Sequence, residues 1–272
     1  MQLETLKNEI KAIDELSDMT NVLEQVAAKE ISRMRQRILD SREFFQEAWR
    51  IYRIMHQITP VSPDVVKQDL VVMITLNWGM FGSLLNRVVD KSEELYQKYS
   101  ADLLITGKMG QATFLNRDER TTHFFQIPNN ATYQDMDQLK KVLAKYAQVH
   151  FVFPKYYKAS QQEVEVVSLI VSDGKKNTEE PIAPKQFTIE PNVQDVANYL
   201  NQTIVGVLAF NYFQEALLAY NAAQMLSMRN AHDHAKEEQE KLVFRYNKAR
   251  RELIDAKLRE LHGHKYARKG SK

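Results

Sequence analysis

From Asn192 to His262 the chain reads NVQDVANYLNQTIVGVLAFNYFQEALLAYNAAQMLSMRNAHDHAKEEQEKLVFRYNKARRELIDAKLRELH. These seventy or so residues contain no proline and a single glycine, Gly206. Such a stretch predicts one continuous helix, roughly 100 Å long at about 1.5 Å per residue. That length far exceeds the usual helix of a globular domain, so a coiled coil, a repeat or a shaft is required. Phe210, Phe213, Leu217 and Tyr220 fall at alternating three- and four-residue steps. Ala231, Ala235, Leu242, Ala249, Leu253 and Ala256 resume the stripe, as in a coiled coil. Asn192 fits as N-cap, with Pro191 before it and Asp195 in the first turn. The segment from Asn230 to Lys241, NAHDHAKEEQEK, offers almost nothing to bury. It is helical through its neighbours or as a rod standing in water.

The other end of the chain answers to this one. Met1 to Thr59 holds neither proline nor glycine. Apolar residues at near-helical spacing, from Leu6 and Ile10 through Ile31, Met34 and Ile38 to Trp49 and Met55, predict a second helix of roughly 85 Å. Its stripe is too narrow to form a domain alone, so two long helices at opposite chain ends predict an antiparallel pair. All seven prolines lie between Pro60 and Pro191, and that middle segment alternates strands with helices. Leu70–Thr75, Leu103–Thr106, Val149–Phe153 and Val164–Val171 read as strands, and Ser83–Lys98 and Asp135–Tyr146 as helices. The pattern predicts a small, Rossmann-like parallel sheet with helices on its faces. Ser172 to Pro184 reads as an exposed loop. The expected domains are therefore 1–59 and 192–272 as coiled-coil helices, the second with a basic tail, flanking an α/β domain at 60–191.

Composition narrows the function. Of the 272 residues 26% are charged and the net charge is +2, so disorder throughout is excluded and no bulk attraction to polyanions is implied. Arg245 to Lys272 is the exception, with ten Lys or Arg against three Asp or Glu. It carries little aromatic interleaving beyond Tyr246 and Tyr266, and nucleic acid is not the expected partner. The absence of cysteine excludes disulfides and thiolate metal sites. The most apolar stretch, Val205–Tyr220, is interrupted by Asn211, Gln214 and Glu215, so no transmembrane segment is expected, and no signal peptide either.

Motifs for chemistry are weak. Trp78-Gly79-Met80-Phe81-Gly82 sits between a strand and a helix, where α/β folds bind phosphates, but lacks the third glycine, the lysine and the magnesium-binding hydroxyl. It reads as a tight turn, as does Gly107-Lys108-Met109-Gly110. His232 and His234 are two apart, as are His262 and His264, and on a helix such pairs point away from one another. No catalytic residue, cofactor site or metal site is expected.

Specific strings then point to a family. Tyr246-Asn247-Lys248-Ala249-Arg250 resembles the YNKAR motif of the γ subunit of rotary ATP synthases. The run from Ala222 to Ala231, AAQMLSMRNA, resembles the alanine- and methionine-rich run before that family's central shaft. Val26-Ala27-Ala28-Lys29 and Asp40-Ser41-Arg42 stand where the family has its MVAASK and ASR strings, and Glu190-Pro191 where it enters its last helix. The resemblance covers the chain end to end. It implies a noncatalytic rotor axle inside a hexamer of α and β subunits, with the α/β domain beside the ε subunit and the c-ring. It further implies a peripheral place at the cytoplasmic face of a bacterial membrane, and no cofactor.

The resemblance also implies contacts with the catalytic hexamer through Thr20, Leu23, Val26 and Lys29 on the first helix and Tyr246, Arg250 and Arg251 on the last. Three departures stand out. Where the family carries lysines near Thr20, this chain has Asp18 and Asn21; its glycine-rich string is reduced to NWGMFG; and its end is basic where the family's is small and apolar. The axle of a paralogous ATPase motor, a free-standing coiled-coil adaptor and a nucleotide-binding enzyme using the Gly79 turn remain as alternatives.

Overall fold

The structure, a computed structural model, describes residues 2–58, 66–115, 122–128, 131–143, 145–170 and 193–269. The expected loop at 172–184 and the expected cap at Asn192 lie outside them. Two long helices bracket the chain, α1 (Gln2–Ile58) and α5 (Val193–Lys269). Neither contains proline, so no residue removes a backbone donor, and α1 has no glycine to add unfolded-state freedom.

Between them come β1 (Val66–Ile74), α2 (Leu84–Tyr99), β2 (Asp102–Thr106), α3 (Lys108–Leu115), β3 (Thr122–Phe125), a short 3-10 turn (Tyr133–Met136), α4 (Asp137–Leu143), β4 (Tyr146–Lys158) and β5 (Gln161–Ile170). The sheet runs β3-β2-β1-β4-β5. β3, β2, β1 and β4 are parallel, but β5 is antiparallel to β4, so the sheet is mixed rather than parallel. The reason is the connection. Only Ala159 and Ser160 separate β4 from β5, and a parallel return needs a dozen residues or more.

The chain forms two compact units, 1–26 with 225–272, and 27–224. In the larger unit, Leu70, Val71, Val72, Met73, Leu103, Val149, Phe151 and Val152 are wholly buried, as the apolar runs of β1, β2 and β4 require of a sheet covered on both faces. Phe151 and Phe153 of β4 meet Tyr212 of α5, whereas His150, which points the other way, stacks on Tyr99 of α2. α5 is buried almost all round from Ile204 to Ala223. Gly206 has a packing reason: the hydrocarbon stem of Lys140 lies against it, and an added Cβ would come within 2.5 Å of Lys140 Cδ. The Lys140 ammonium sits 3.7 Å from the centre of the Tyr133 ring, whose hydroxyl donates to the Thr203 carbonyl.

One buried ion pair ties α1, α5 and β4 together. Arg42 donates through Nε and Nη2 to the two oxygens of Glu215, at 2.6 and 2.8 Å, and through Nη2 to the Tyr156 carbonyl at 2.6 Å. The Glu215 side chain is 4% exposed. Its carboxylate holds the Arg42 guanidinium above the ordinary arginine value, against the opposing effect of burial.

In the smaller unit α1 and α5 meet through polar groups. Ser17 Oγ and the Ser17 carbonyl lie 3.1 and 3.0 Å from His232 Nδ1, and Gln239 donates to Asp14 at 2.8 Å. Numbers rising along α5 meet numbers falling along α1, so the helices run in opposite directions over this stretch.

Candidate partner-contact surface

The place where a doubly wound sheet would bind a ligand is occupied by the chain itself. Connections from β1 lead to β2 on one side, while β4 lies on the other, so the carboxyl end of β1 is the topological switch point. Tyr220 of α5 fills it: its ring lies 4.5 Å from that of Phe81, and its hydroxyl donates to the Ile74 carbonyl at 3.1 Å. Burial pushes the Tyr220 hydroxyl well above the ordinary tyrosine range. Trp78 reaches Gln224 through its indole N–H.

The glycines of the second candidate phosphate turn serve packing. A Cβ on Gly107, at φ +83°, would stand 2.5 Å from the Thr75 carbonyl oxygen, and one on Gly110 would strike the Thr75 side chain. The start of α3 is capped from within, since Asn77 accepts from the Lys108 backbone N–H and donates to the Ile127 carbonyl. His232 is engaged with Ser17, and His234 stands 3.9 Å from Glu237. Among the described residues no cluster of three or more His, Asp or Glu is placed to hold a metal.

What remains is surface on the smaller unit. Leu16, Met19, Val22 and Val26 expose 43, 50, 57 and 54% of themselves, a stripe at three- and four-residue steps along α1. An exposed apolar stripe of this kind is a candidate contact surface. Of the residues expected to make contact, Val26 is on this stripe and Leu23 is half-buried at its edge. Thr20 faces inward at 3% exposure, its hydroxyl donating to the Leu16 and Ser17 carbonyls. On α5, Arg250 and Arg251 are exposed and Tyr246 is half-buried. Phe244, at 71%, is the most exposed large apolar side chain among the described residues. Lys29, which belongs to the larger unit, is exposed.

Sequence reading missed Leu16, Met19, Val22 and Phe244. The alternation of Leu16, Met19 and Val22 with Ser17 and Thr20 was the available signal, because the polar residues are the buried ones.

The family described as ATP synthase matches residues 2–264. The chain belongs to the ATP synthase gamma family. As a gamma-family chain it is noncatalytic, part of the central stalk. It is 24% identical to the ATP synthase gamma chain of Roseiflexus castenholzii, over 94% of each chain. Its fold is similar to a chain of the rotor of Euglena gracilis mitochondrial ATP synthase in rotational state 1, with a TM-score of 0.69 at 15% identity, covering 93% of this chain and 99% of that one. It is likewise similar to a chain of the central stalk and c-ring of the Tetrahymena thermophila mitochondrial enzyme, with a TM-score of 0.60 at 18% identity, covering 78% and 99%. No described helix of this gamma-family chain is long and apolar enough to cross a membrane.

Proposed function

We infer that the chain is the rotor axle of a bacterial rotary ATP synthase, coupling rotation of a membrane c-ring to nucleotide-state changes in the catalytic β subunits. The observation that carries this is the family match running from residue 2 to residue 264, through both helices and the sheet between them. In this reading α1 and α5 pair as an antiparallel coiled coil, supported by the Ser17–His232 and Asp14–Gln239 contacts. The coil stands inside the hexamer of α and β subunits, and the 60–191 domain faces the ε subunit and the c-ring at the cytoplasmic face of the cell membrane.

The mechanism follows from asymmetry. An axle that presents different side chains at different angles binds the three catalytic sites' conformations unequally, and each angle shifts one site's population. Val26, Lys29, Arg250 and Arg251 supply exposed contacts, with Leu23 and Tyr246 at their edges. Thr20 lies beneath them, buried, with its hydroxyl bonded to carbonyls of its own helix. The filled crevice at Tyr220 argues against a nucleotide-binding enzyme.

A tagged pull-down from the native organism, read by mass spectrometry, tests the assignment. Recovery of α, β and ε with c subunits is expected. Recovery of α- and β-like chains without a membrane ring would assign the chain to a paralogous motor. Recovery of neither α nor β would leave an adaptor and overturn the axle.

A further inference from the structure

In the larger unit the buried stripe of α1 runs Ala27, Ile31, Met34 and Ile38 at three- and four-residue steps. The next position on that stripe is Arg42. On α5, Glu215 stands among Tyr212, Phe213, Ala216 and Leu217, all buried. A charge thus takes the place of a core residue on each helix. Stability does not call for it, since apolar side chains in place of a buried ion pair are often neutral or better. What apolar packing lacks is direction.

The Arg42–Glu215 pair has direction in three legs. Nε and Nη2 of Arg42 take the two Glu215 oxygens in a planar fork, which fixes the roll of α1 against α5. Nη2 also donates to the Tyr156 carbonyl, which adds β4. The ladder is irregular beside that carbonyl: Tyr156 pairs with Gln162 and Lys158 with Gln161, leaving Tyr157 as an extra residue. This end of the β4–β5 hairpin is held elsewhere too. Arg87 of α2 donates to the Gln162 carbonyl at 2.8 Å, and Gln162 Nε2 donates to the Lys158 and Ala159 carbonyls at 3.0 and 2.9 Å. Glu165 has its own partners in Lys155, at 3.0 and 3.1 Å, and the Tyr157 hydroxyl.

We propose that Arg42 and Glu215 are positioning residues of the rotor, keying α1, α5 and the sheet to one angular register so that torque passes among them without roll. This keying, which rests on the axle reading, names the residues that stiffen the axle. Both helices continue unbroken out of the unit 27–224, α1 back to Gln2 and α5 on to Lys269. The roll set at the pair is therefore carried by each helix beyond it.

The test uses the whole enzyme from the native organism, anchored through its β subunits, with a gold nanorod on the c-ring. In the catalytic pauses the angular variance of the rod falls as the axle stiffens. Arg42→Met with Glu215→Leu is expected to keep a urea midpoint near that of the parent. Its variance is expected to rise about twofold, because directional bonds give way to non-directional packing. Arg42→Lys keeps the charge but not the planar fork, and a smaller rise is expected. Tyr220→Phe loses a buried hydrogen bond elsewhere in the same unit and is expected to leave the variance unchanged.

A variance that neither Arg42 variant moves would reduce the pair to packing and leave the axle standing. Equal broadening in Tyr220→Phe would show that variance follows stability, and would also overturn the key. If the double variant fails to fold, Arg42→Lys decides alone, and an unchanged variance there overturns the proposal. If ATP does not turn the rod on the parent enzyme, the axle reading falls and the key with it.

Discussion

The two compact units are built from the same two helices, yet they spend their apolar residues in opposite ways. In the unit 27–224, Ala27, Ile31, Met34 and Ile38 of α1 are buried, and α5 is enclosed from Ile204 to Ala223. In the unit formed by 1–26 and 225–272, the residues turned inward are Ser17, Thr20, Met228, Ala235 and Leu242, while Leu16, Met19, Val22 and Phe244 face water. The first unit is a domain with its own core. The second is a pair of helices with an apolar stripe turned outward, and its order is expected to depend on what it touches.

The sharpest way to test that contrast is hydrogen exchange on the isolated chain. Amides of α1 between Leu16 and Val26 are expected to exchange through local opening, several orders of magnitude faster than those of Leu70–Ile74 in β1, which await global unfolding. Equal protection in the two segments would erase the distinction. In the assembled complex the Leu16–Val26 amides are expected to slow toward the β1 rate.

A second test breaks the domain-like unit at its ion pair. Arg42→Met leaves the Glu215 carboxylate buried without its partner and is expected to cost about 3–5 kcal/mol in urea unfolding. Arg42→Met combined with Glu215→Leu is expected to recover most of that loss, since two apolar groups need no mutual charge. Tyr220→Phe is milder. It removes the hydroxyl donated to Ile74 O but keeps the ring against Phe81, and about 1 kcal/mol is expected by the same measurement.

The smallest effect concerns pH. Burial lowers the His150 pKa from 6.5, partly offset by Asp69, whose carboxylate is 3.7 Å away; Lys98 adds to the lowering. Nδ1 is engaged with Ser168, and the ring stacks on Tyr99. The folded state therefore takes up this proton less readily than the unfolded chain does. The contribution of His150 to stability is fully present above about 6.5 and declines as pH falls through and below that value. Unfolding midpoints between pH 7.5 and pH 5 are expected to show a shallower fall in His150→Gln than in the parent, and identical slopes would remove His150 from the account.

Much of this architecture was legible from residue spacing. The two terminal helices follow from the confinement of proline to Pro60–Pro191, and β1, β2 and β4 from short apolar runs. α3 was hidden because Gly110 sits inside it, where Thr75 leaves no room for a side chain. β3 has only four residues, and one of them, Phe124, is 41% exposed, so it lacks the apolar run of its neighbours. The direction of β5 depended on a two-residue turn, which periodicity alone does not weigh.

Glu215 read only as a polar break in the run Val205–Tyr220, because its partner Arg42 lies 173 positions away. Exposure at the expected contact positions was half legible. Motif resemblance led to Val26, Lys29, Arg250 and Arg251, which are exposed, and to Thr20, which is not. A motif fixes position along a helix; which way a residue points depends on the helix beside it.

The distance in sequence between the helices has a further consequence for how the molecule is made. Ser17 and His232 are 215 positions apart. At about 5–20 residues per second, the ribosome needs on the order of ten to forty seconds after finishing the first before it delivers the second. Throughout that interval the start of α1 exists without the segment of α5 that Ser17 and Asp14 will meet. The neighbouring parallel strands β1, β2 and β3 can find each other meanwhile, since each crossover between them is short. Birth of the protein is thus a long wait ended by a late zippering.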